Sequence, residues 1–316
     1  MDRIGTGNAK LLLFGEHSAV YGFPSLGLGL PASARIEISV EGHRGWSFPD
    51  LRGEDGIRFG EFLEYAASIL PKIAKGGGTI RVSSTIPRGL GFGSSAAICV
   101  GLAKAFAPED ATATDIWLLA HRAEGFFHGT PSGIDTGLSL LGDLRSFRPS
   151  PPALPATGTL RGFPLHFVIG AVTRRASTSA QVTALGERLA SGDDRAGRLV
   201  EELGGIAEKA ITCMEEGDGD RPEAMDRLGA LLAAAHSALG ELGLGDPRID
   251  RLLRRGIELG ARGGKQSGSG GGGAFFLIYP SRDAAEVGAK ALAEFARLEG
   301  IALAAPLRAF TPAFRL

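Results

Sequence analysis

The chain has 316 residues, 34 Lys and Arg against 35 Asp and Glu, a formal net charge of -1 and 44% hydrophobic residues. These totals suit an ordinary soluble globular protein of two domains or one large one, and they lack the basic face that general nucleic-acid binding needs. Two cysteines, Cys99 and Cys213, fit neither a zinc spacing nor a disulfide framework, and no apolar run approaches a membrane span, so a cytoplasmic protein without nucleic-acid or membrane partners is expected.

In chain order, KLLLF (10–14) reads as a strand, and its apolar run is cut short by Gly-Glu-His, too soon for a signal segment. ARIEISV (34–40) and TIRVSST (79–85) also read as strands. Residues 58–70, 94–106 and 114–129 carry helical periodicity, the last with Thr112 or Thr114 as its cap. The proline-rich RPSPPALPATG (148–158) marks a domain boundary, which divides the chain into 1–152 and 153–316. The second half opens on the strand LHFVIGAV (165–172). Helices follow over 178–191, 195–216, 222–242 and 247–262, then a glycine run, the strand AFFLIYP (274–280), a helix near 283–299 and a last strand-like segment. This order predicts an α+β domain with helices on one face of a sheet.

Three stretches carry chemistry. PRGLGFGSSAA (87–97) joins a strand to a helix, and three glycines in five positions lose much conformational freedom on folding, so something must come close to that backbone. Such a loop turns its N–H groups inward at a helix N-terminus and suits phosphate, with the hydroxyls of Ser94 and Ser95 able to donate to phosphate or hold a metal ion. The same residues also suit a tight connection in which a serine caps the helix. No Gly-Lys-Ser/Thr ends the loop, so it is not a Walker A sequence. The run at 268–273 formally matches G-x-G-x-x-G, but it is expected to follow a helix and precede a strand, the wrong context for a dinucleotide fold.

HRAEGFFHGTPSGID (121–135) places Glu124 near a helix end and Asp135 after a tight turn. Phosphoryl transfer needs such a pair, one carboxylate for Mg²⁺ and one to orient a hydroxyl. A rival reading takes His121, Glu124 and His128, at i, i+3 and i+7 on one helical face, as ligands of a transition metal. Lys10 begins an apolar strand, an odd place for a charge unless it points into a cleft, where it could neutralise phosphate or stabilise an alkoxide.

Together these residues resemble the GHMP kinases, and among them the mevalonate kinase family. AKLLLFGEHSAVYGFPS (9–25), PRGLGFGSSAA (87–97) and KQSGSGGGGAFFLI (265–278) match the three family motifs in order, and HGTPSGID (128–135) matches the segment with the catalytic aspartate. The resemblance implies a two-domain α+β fold, with an N-terminal domain like ribosomal protein S5 domain 2 and a ferredoxin-like C-terminal domain. It implies ATP and Mg²⁺ as cofactors, a small-molecule alcohol (mevalonate) as acceptor, and a homodimer. It assigns Asp135 as the base for the C5 hydroxyl and Lys10 as its partner. Ser95 and Glu124 become Mg²⁺ ligands, and Glu16, His17 and Ser132 lie near the substrate. Gly89, Leu90, Gly91, Gly93, Ser94, Ser95 and Ala96 hold the triphosphate, backed by Gly270, Gly271 and Gly272.

Other GHMP kinases remain as alternatives, namely phosphomevalonate, homoserine and sugar kinases, as does a catalytically silent nucleotide-binding protein. The sequence departs from the family pattern at Thr136, Gln266, Ser269 and Phe92. VTRRASTSAQ (172–181) matches a substrate-proximal segment only loosely, which leaves Arg174 and Arg175 either as ligands for a carboxylate or phosphate or as surface charges.

Overall fold

The computed structural model describes residues 2–41, 44–129, 131–151, 153–160, 164–176, 178–216 and 222–312. Its elements run β1 (Arg3–Phe14), β2 (Ser25–Val40), β3 (Gly45–Ser47), α1 (Gly53–Ala67), α2 (Pro71–Lys75), β4 (Gly77–Ser84), α3 (Ser94–Phe106), α4 (Ala113–His128) and α5 (Ile134–Leu141). They continue with β5 (Leu144–Ser150), β6 (Ala153–Thr159), β7 (His166–Val172), α6 (Thr178–Ala190), α7 (Asp194–Glu216), α8 (Pro222–Glu241), α9 (Pro247–Glu258), β8 (Gly263–Gln266), β9 (Gly273–Tyr279), α10 (Arg282–Leu298) and β10 (Leu303–Phe310). Two compact units emerge, each discontinuous in sequence: Met1–Lys10 with Gly29–Ile86 and Gly93–Gly142, and Leu11–Leu28 with Pro87–Phe92 and Asp143–Leu316.

In the first unit β4 lies antiparallel to the second half of β2, from Ala34↔Ser84 to Val40↔Gly78, and β3 runs parallel to β4. The period-2 pattern of ARIEISV turns Ile36 and Ile38 to one face. There they meet Ile80 and Val82 of β4, Phe59 and Phe62 of α1, Val100 and Phe106 of α3, and Ala120 and Ala123 of α4. The small residues of α3 let it lie backbone to backbone on β1. A Cβ on Gly5 would stand 1.9 Å from Gly101 O, and one on Gly7 would stand 2.2 Å from Ala97 O. α4 starts at Thr112, whose side chain accepts from Asp115 N while the Asp115 carboxylate accepts from Thr112 N, a reciprocal cap.

In the second unit β5 pairs with Ser25–Leu28 of β2, and β6 pairs with β5. The proline-rich stretch covers the end of β5 and most of the outer strand β6, with Ser150 opposite Ala153. β6 ends the strand order, and an edge strand tolerates proline because its outer N–H has no ladder partner to lose. A separate antiparallel sheet has the order β10-β7-β9-β8. Val168, Phe275, Leu277 and Tyr279 of that sheet bury against Ile249 and Leu252 of α9 and Ala289 and Leu292 of α10. α8 sits on β8 through two glycines: a Cβ on Gly229 would stand 1.9 Å from Arg262 O, and one on Gly263 would stand 2.5 Å from Gly229 Cα. The glycine run 268–273 follows strand β8 and ends on the first residue of strand β9, so it does not follow a helix as expected. The four residues of β8 are too few, and too rich in glycine, to show a strand period. Among the described residues no helix is long and apolar enough to cross a membrane.

Candidate active site

In the first unit, Lys10 lies on β1 and its ammonium stands 3.0 Å from Asp135 Oδ2, the lysine side chain 5% exposed and the aspartate 32%. Asp135 occupies the first turn of α5, whose N-cap is Gly133 at φ 80. Two hydrogen bonds hold that turn: Trp117 Nε1 donates to Gly133 O at 2.9 Å, and Thr136 Oγ1 donates to the same carbonyl at 3.2 Å. The departure at Thr136 is thereby explained, since the residue is wholly buried and anchors the turn that carries the aspartate. Ser132 precedes the helix, and its Oγ accepts from Ile134 N at 3.4 Å. Thr130 of HGTPSGID and Ser177 of VTRRASTSAQ lie outside the described residues.

Glu124, on α4, is buried, and its carboxyl titrates well above the ordinary range. Burial is the largest cause, the negative charge of Asp135 adds to it, and Lys10 opposes it. Its Oε1 accepts no hydrogen bond and lies 4.0 Å from His128 Nε2. Ser95 Oγ lies 3.3 Å from the same nitrogen. The N-cap of α3 is Gly93 at φ 75, with no side-chain cap, so neither Ser94 nor Ser95 is spent on capping the helix. Gly93 also makes room for the lysine, since a Cβ there would stand 2.7 Å from Lys10 Cγ. A buried carboxylate oxygen without a partner, with a serine hydroxyl beside the same histidine, suits a hard divalent cation that prefers oxygen ligands. Among the described residues no three His, Cys, Asp or Glu side chains gather as a metal site. The His121, Glu124 and His128 reading therefore finds no support among the described residues.

In the second unit the first and third motifs clasp each other. Lys265 Nζ donates to Glu16 Oε1 and, at 2.7 Å, to Gln266 O. Both charged side chains are buried, and burial lowers the lysine's pKa against the pull of Glu16. Ser267 Oγ accepts from Leu12 N at 3.0 Å and donates to Leu12 O at 2.8 Å. His17, at φ 61, lies with Nε2 3.0 Å from Ser269 O, and burial lowers its pKa. A carbonyl only accepts, so Nε2 carries the proton of the neutral ring and Nδ1 is left as an acceptor.

Gly89 and Gly91 both adopt positive φ, and Leu90 O accepts from Ala274 N at 2.7 Å, which ties the loop to the start of β9. Gly270, Gly271 and Gly272 also have positive φ. Cβ atoms there would stand 2.4 Å from Leu244 O, 2.4 Å from Gln181 Nε2 and 2.5 Å from Thr173 O. The substitution at Gln266 pairs with this packing, its Nε2 donating to Leu244 O at 2.8 Å. Lys265 is the residue of this cluster that the sequence reading leaves unassigned. Its signal is a charge set between glycines just ahead of the apolar run of β9.

Residues 61–143 match the N-terminal domain of the GHMP kinases, and residues 210–298 match the GHMP kinase C-terminal domain. A mevalonate kinase of Thermococcus sibiricus is 27% identical over 87% of this chain and 88% of its own length. One of Aeropyrum pernix is 28% identical, with 85% and 86% covered. The crystal structure of L. major mevalonate kinase in complex with R-mevalonate shares the fold at a TM-score of 0.76 and 22% identity, covering 98% of this chain and 95% of that one. With both family domains present in order on a mixed α+β fold of this kind, the chain belongs to the GHMP kinases, enzymes that transfer phosphate to a hydroxyl group, and within that family it resembles mevalonate kinase.

Proposed function

We propose that the chain uses ATP to phosphorylate the C5 hydroxyl of mevalonate, giving 5-phosphomevalonate. The observation that carries this reading is the Lys10–Asp135 pair at 3.0 Å beside the buried Glu124. Asp135 accepts the hydroxyl proton as the oxygen attacks the γ-phosphorus. Lys10 orients that carboxylate and stabilises the developing alkoxide. We assign the triphosphate to the glycine motif, Gly89 to Gly91 and Gly93 to Ala96, because a helix N-terminus and glycine-loop amides favour anionic oxygens. Ser95 and Glu124 would hold Mg²⁺, which when bound neutralises charge on the phosphates. Glu16, His17 and Ser132 are the residues that the family resemblance assigns to the acceptor, and Gly270 to Gly272 those that it assigns to backing the phosphate loop. We place this activity in the cytoplasm and expect a homodimer.

Release of ADP from MgATP with (R)-mevalonate, 5-phosphomevalonate, homoserine and galactose as separate acceptors tests the reading, with Asp135→Asn as the blank. Turnover on mevalonate alone supports it. Turnover on 5-phosphomevalonate instead would keep the fold and the base but move the acceptor, and VTRRASTSAQ is the segment that favours that second reading. The phosphate role has its own test. Gly91→Val puts a branched side chain at φ +91, within reach of Arg174 and Ser267 O, and is expected to weaken ATP binding by at least tenfold, about 1.4 kcal/mol or more. Unchanged ATP affinity would remove the loop from the phosphate site.

A further inference from the structure

The two adjacent arginines of VTRRASTSAQ have different fates. Arg175 is tied down: its Nε lies 3.4 Å from Asp246 Oδ2, its Nη2 donates to Gly245 O at 3.1 Å, and its backbone N–H donates to Gly271 O at 2.9 Å. Arg248 reinforces the same anchor, donating to Asp246 Oδ2 at 2.7 Å and to Thr173 O at 2.7 Å. This fixes the backbone on both sides of Arg174. The half-buried Arg174 then reaches the other way. Its Nη1 donates to Thr178 Oγ1 at 2.6 Å and its Nη2 to Ser269 Oγ at 3.2 Å, and Ser269 Oγ in turn donates to Gln181 Oε1 at 2.9 Å.

The guanidinium is bordered by glycines of both glycine-rich loops. A Cβ on Gly91, or one on Gly268, would stand 3.3 Å from its Nη2, and a Cβ on Gly273 would stand 2.7 Å from its Nε. Ser269 is one of the chain's departures from the family pattern, and here it serves as a tether for an arginine from another departing segment.

We propose that Arg174 is a phosphate-contacting catalytic residue, its guanidinium gripping an oxygen of the nucleotide triphosphate seated on Gly89–Gly91. This deepens the proposed function and rests on its assignment of that loop to ATP. A planar guanidinium held by two hydroxyl tethers presents its N–H fork in a set orientation, which suits phosphate oxygens and strengthens as charge builds on them.

The test is steady-state turnover of the full-length chain with MgATP and mevalonate, comparing wild type with Arg174→Met, Arg174→Lys and Ser269→Ala, each checked by a thermal melt. Arg174→Met is expected to raise the KM for ATP or lower kcat by about 10- to 100-fold while leaving the KM for mevalonate unmoved, as befits the loss of a hydrogen bond to a charged group. Arg174→Lys, which keeps the charge but not the fork, should fall between, and Ser269→Ala should show a smaller loss of the same kind. A loss confined to the KM for mevalonate would overturn the proposal and move Arg174 to an oxyanion of the acceptor. Wild-type kinetics in Arg174→Met would also overturn it, as would equal losses for ATP and mevalonate. If Arg174→Met does not fold, Arg174→Lys decides: a raised KM for ATP supports the contact and an unchanged one overturns it. Wild-type protein that turns over no acceptor overturns the proposed function, whereas wild-type turnover that Arg174→Met leaves intact overturns only this inference.

Discussion

Asp135→Asn is expected to lower kcat on the true acceptor by at least ~100-fold, the usual size of a general-base effect, while MgATP still binds. Asparagine keeps the shape of the side chain and the hydrogen bonds that hold its turn, since those run through Trp117, Thr136 and the carbonyl of Gly133 and not through the carboxylate. What it loses is the oxygen that takes a proton and the charge that faces Lys10 at 3.0 Å. Lys10→Met should cost a comparable factor. The double variant should cost little more than either single one, because two groups that act as a unit are not additive. Measured by single-turnover kinetics, near-normal rates in Asp135→Asn would remove this residue from the base role, and additive losses would separate the two side chains.

The second large effect falls on stability. Lys265→Met is expected to destabilise the chain by about 3–5 kcal/mol, the usual cost of leaving one half of a buried ion pair without its partner. Lys265 and Glu16 have side chains 0% and 1% exposed, and Glu16 Oε2 has no hydrogen-bond partner to share the charge that would remain. The pair also spans 249 residues, so its loss loosens the clasp between the first and third motifs. Glu16→Gln with Lys265→Met should recover a large part of the loss, because the uncompensated charge is gone. Urea unfolding of Lys265→Met and of the double variant is the measurement. Lys265→Met as stable as the wild type would mean that Glu16 is neutral or hydrated once its lysine is removed.

Much of the fold could be read along the chain where residues repeat with a clear period. α3 begins and ends where its run of small apolar residues does, and Thr112 caps α4 as its position suggests. The short strands β3, β5, β6 and β8 could not be read that way. They are brief, carry glycine, proline or polar residues, and owe their conformation to partners far away in the chain. α5 was hidden for a related reason, since it starts straight after a Ser-Gly turn and holds a glycine of its own. At the site, the residue types and their order were visible, and the Lys10–Asp135 pairing came from the family resemblance alone, while the Glu16–Lys265 pairing was not visible at all. Nothing in the spacing joins Lys10 to Asp135 or Glu16 to Lys265, and the divergence of Arg174 from Arg175 depends on Asp246, a buried residue in a different part of the chain.

The glycines that let α3 press against β1 and α8 against β8 belong to a larger set, and the set divides in two. Gly101, Gly204, Gly229, Gly256 and Gly288 sit within helices, and a Cβ on any of them would come within 3 Å of a neighbouring atom. Gly186, Gly197, Gly205 and Gly240 also sit within helices, yet nothing lies within 4 Å of where their Cβ would be. The first group is the mortar of the packing and cannot be changed without moving helices. The second group only adds freedom to the unfolded chain, so alanine at each of these four positions offers about 0.5–1 kcal/mol of stability. An engineer who wanted a hardier enzyme would therefore find the reserve in the outer faces of α6, α7 and α8, away from every residue placed in the chemistry.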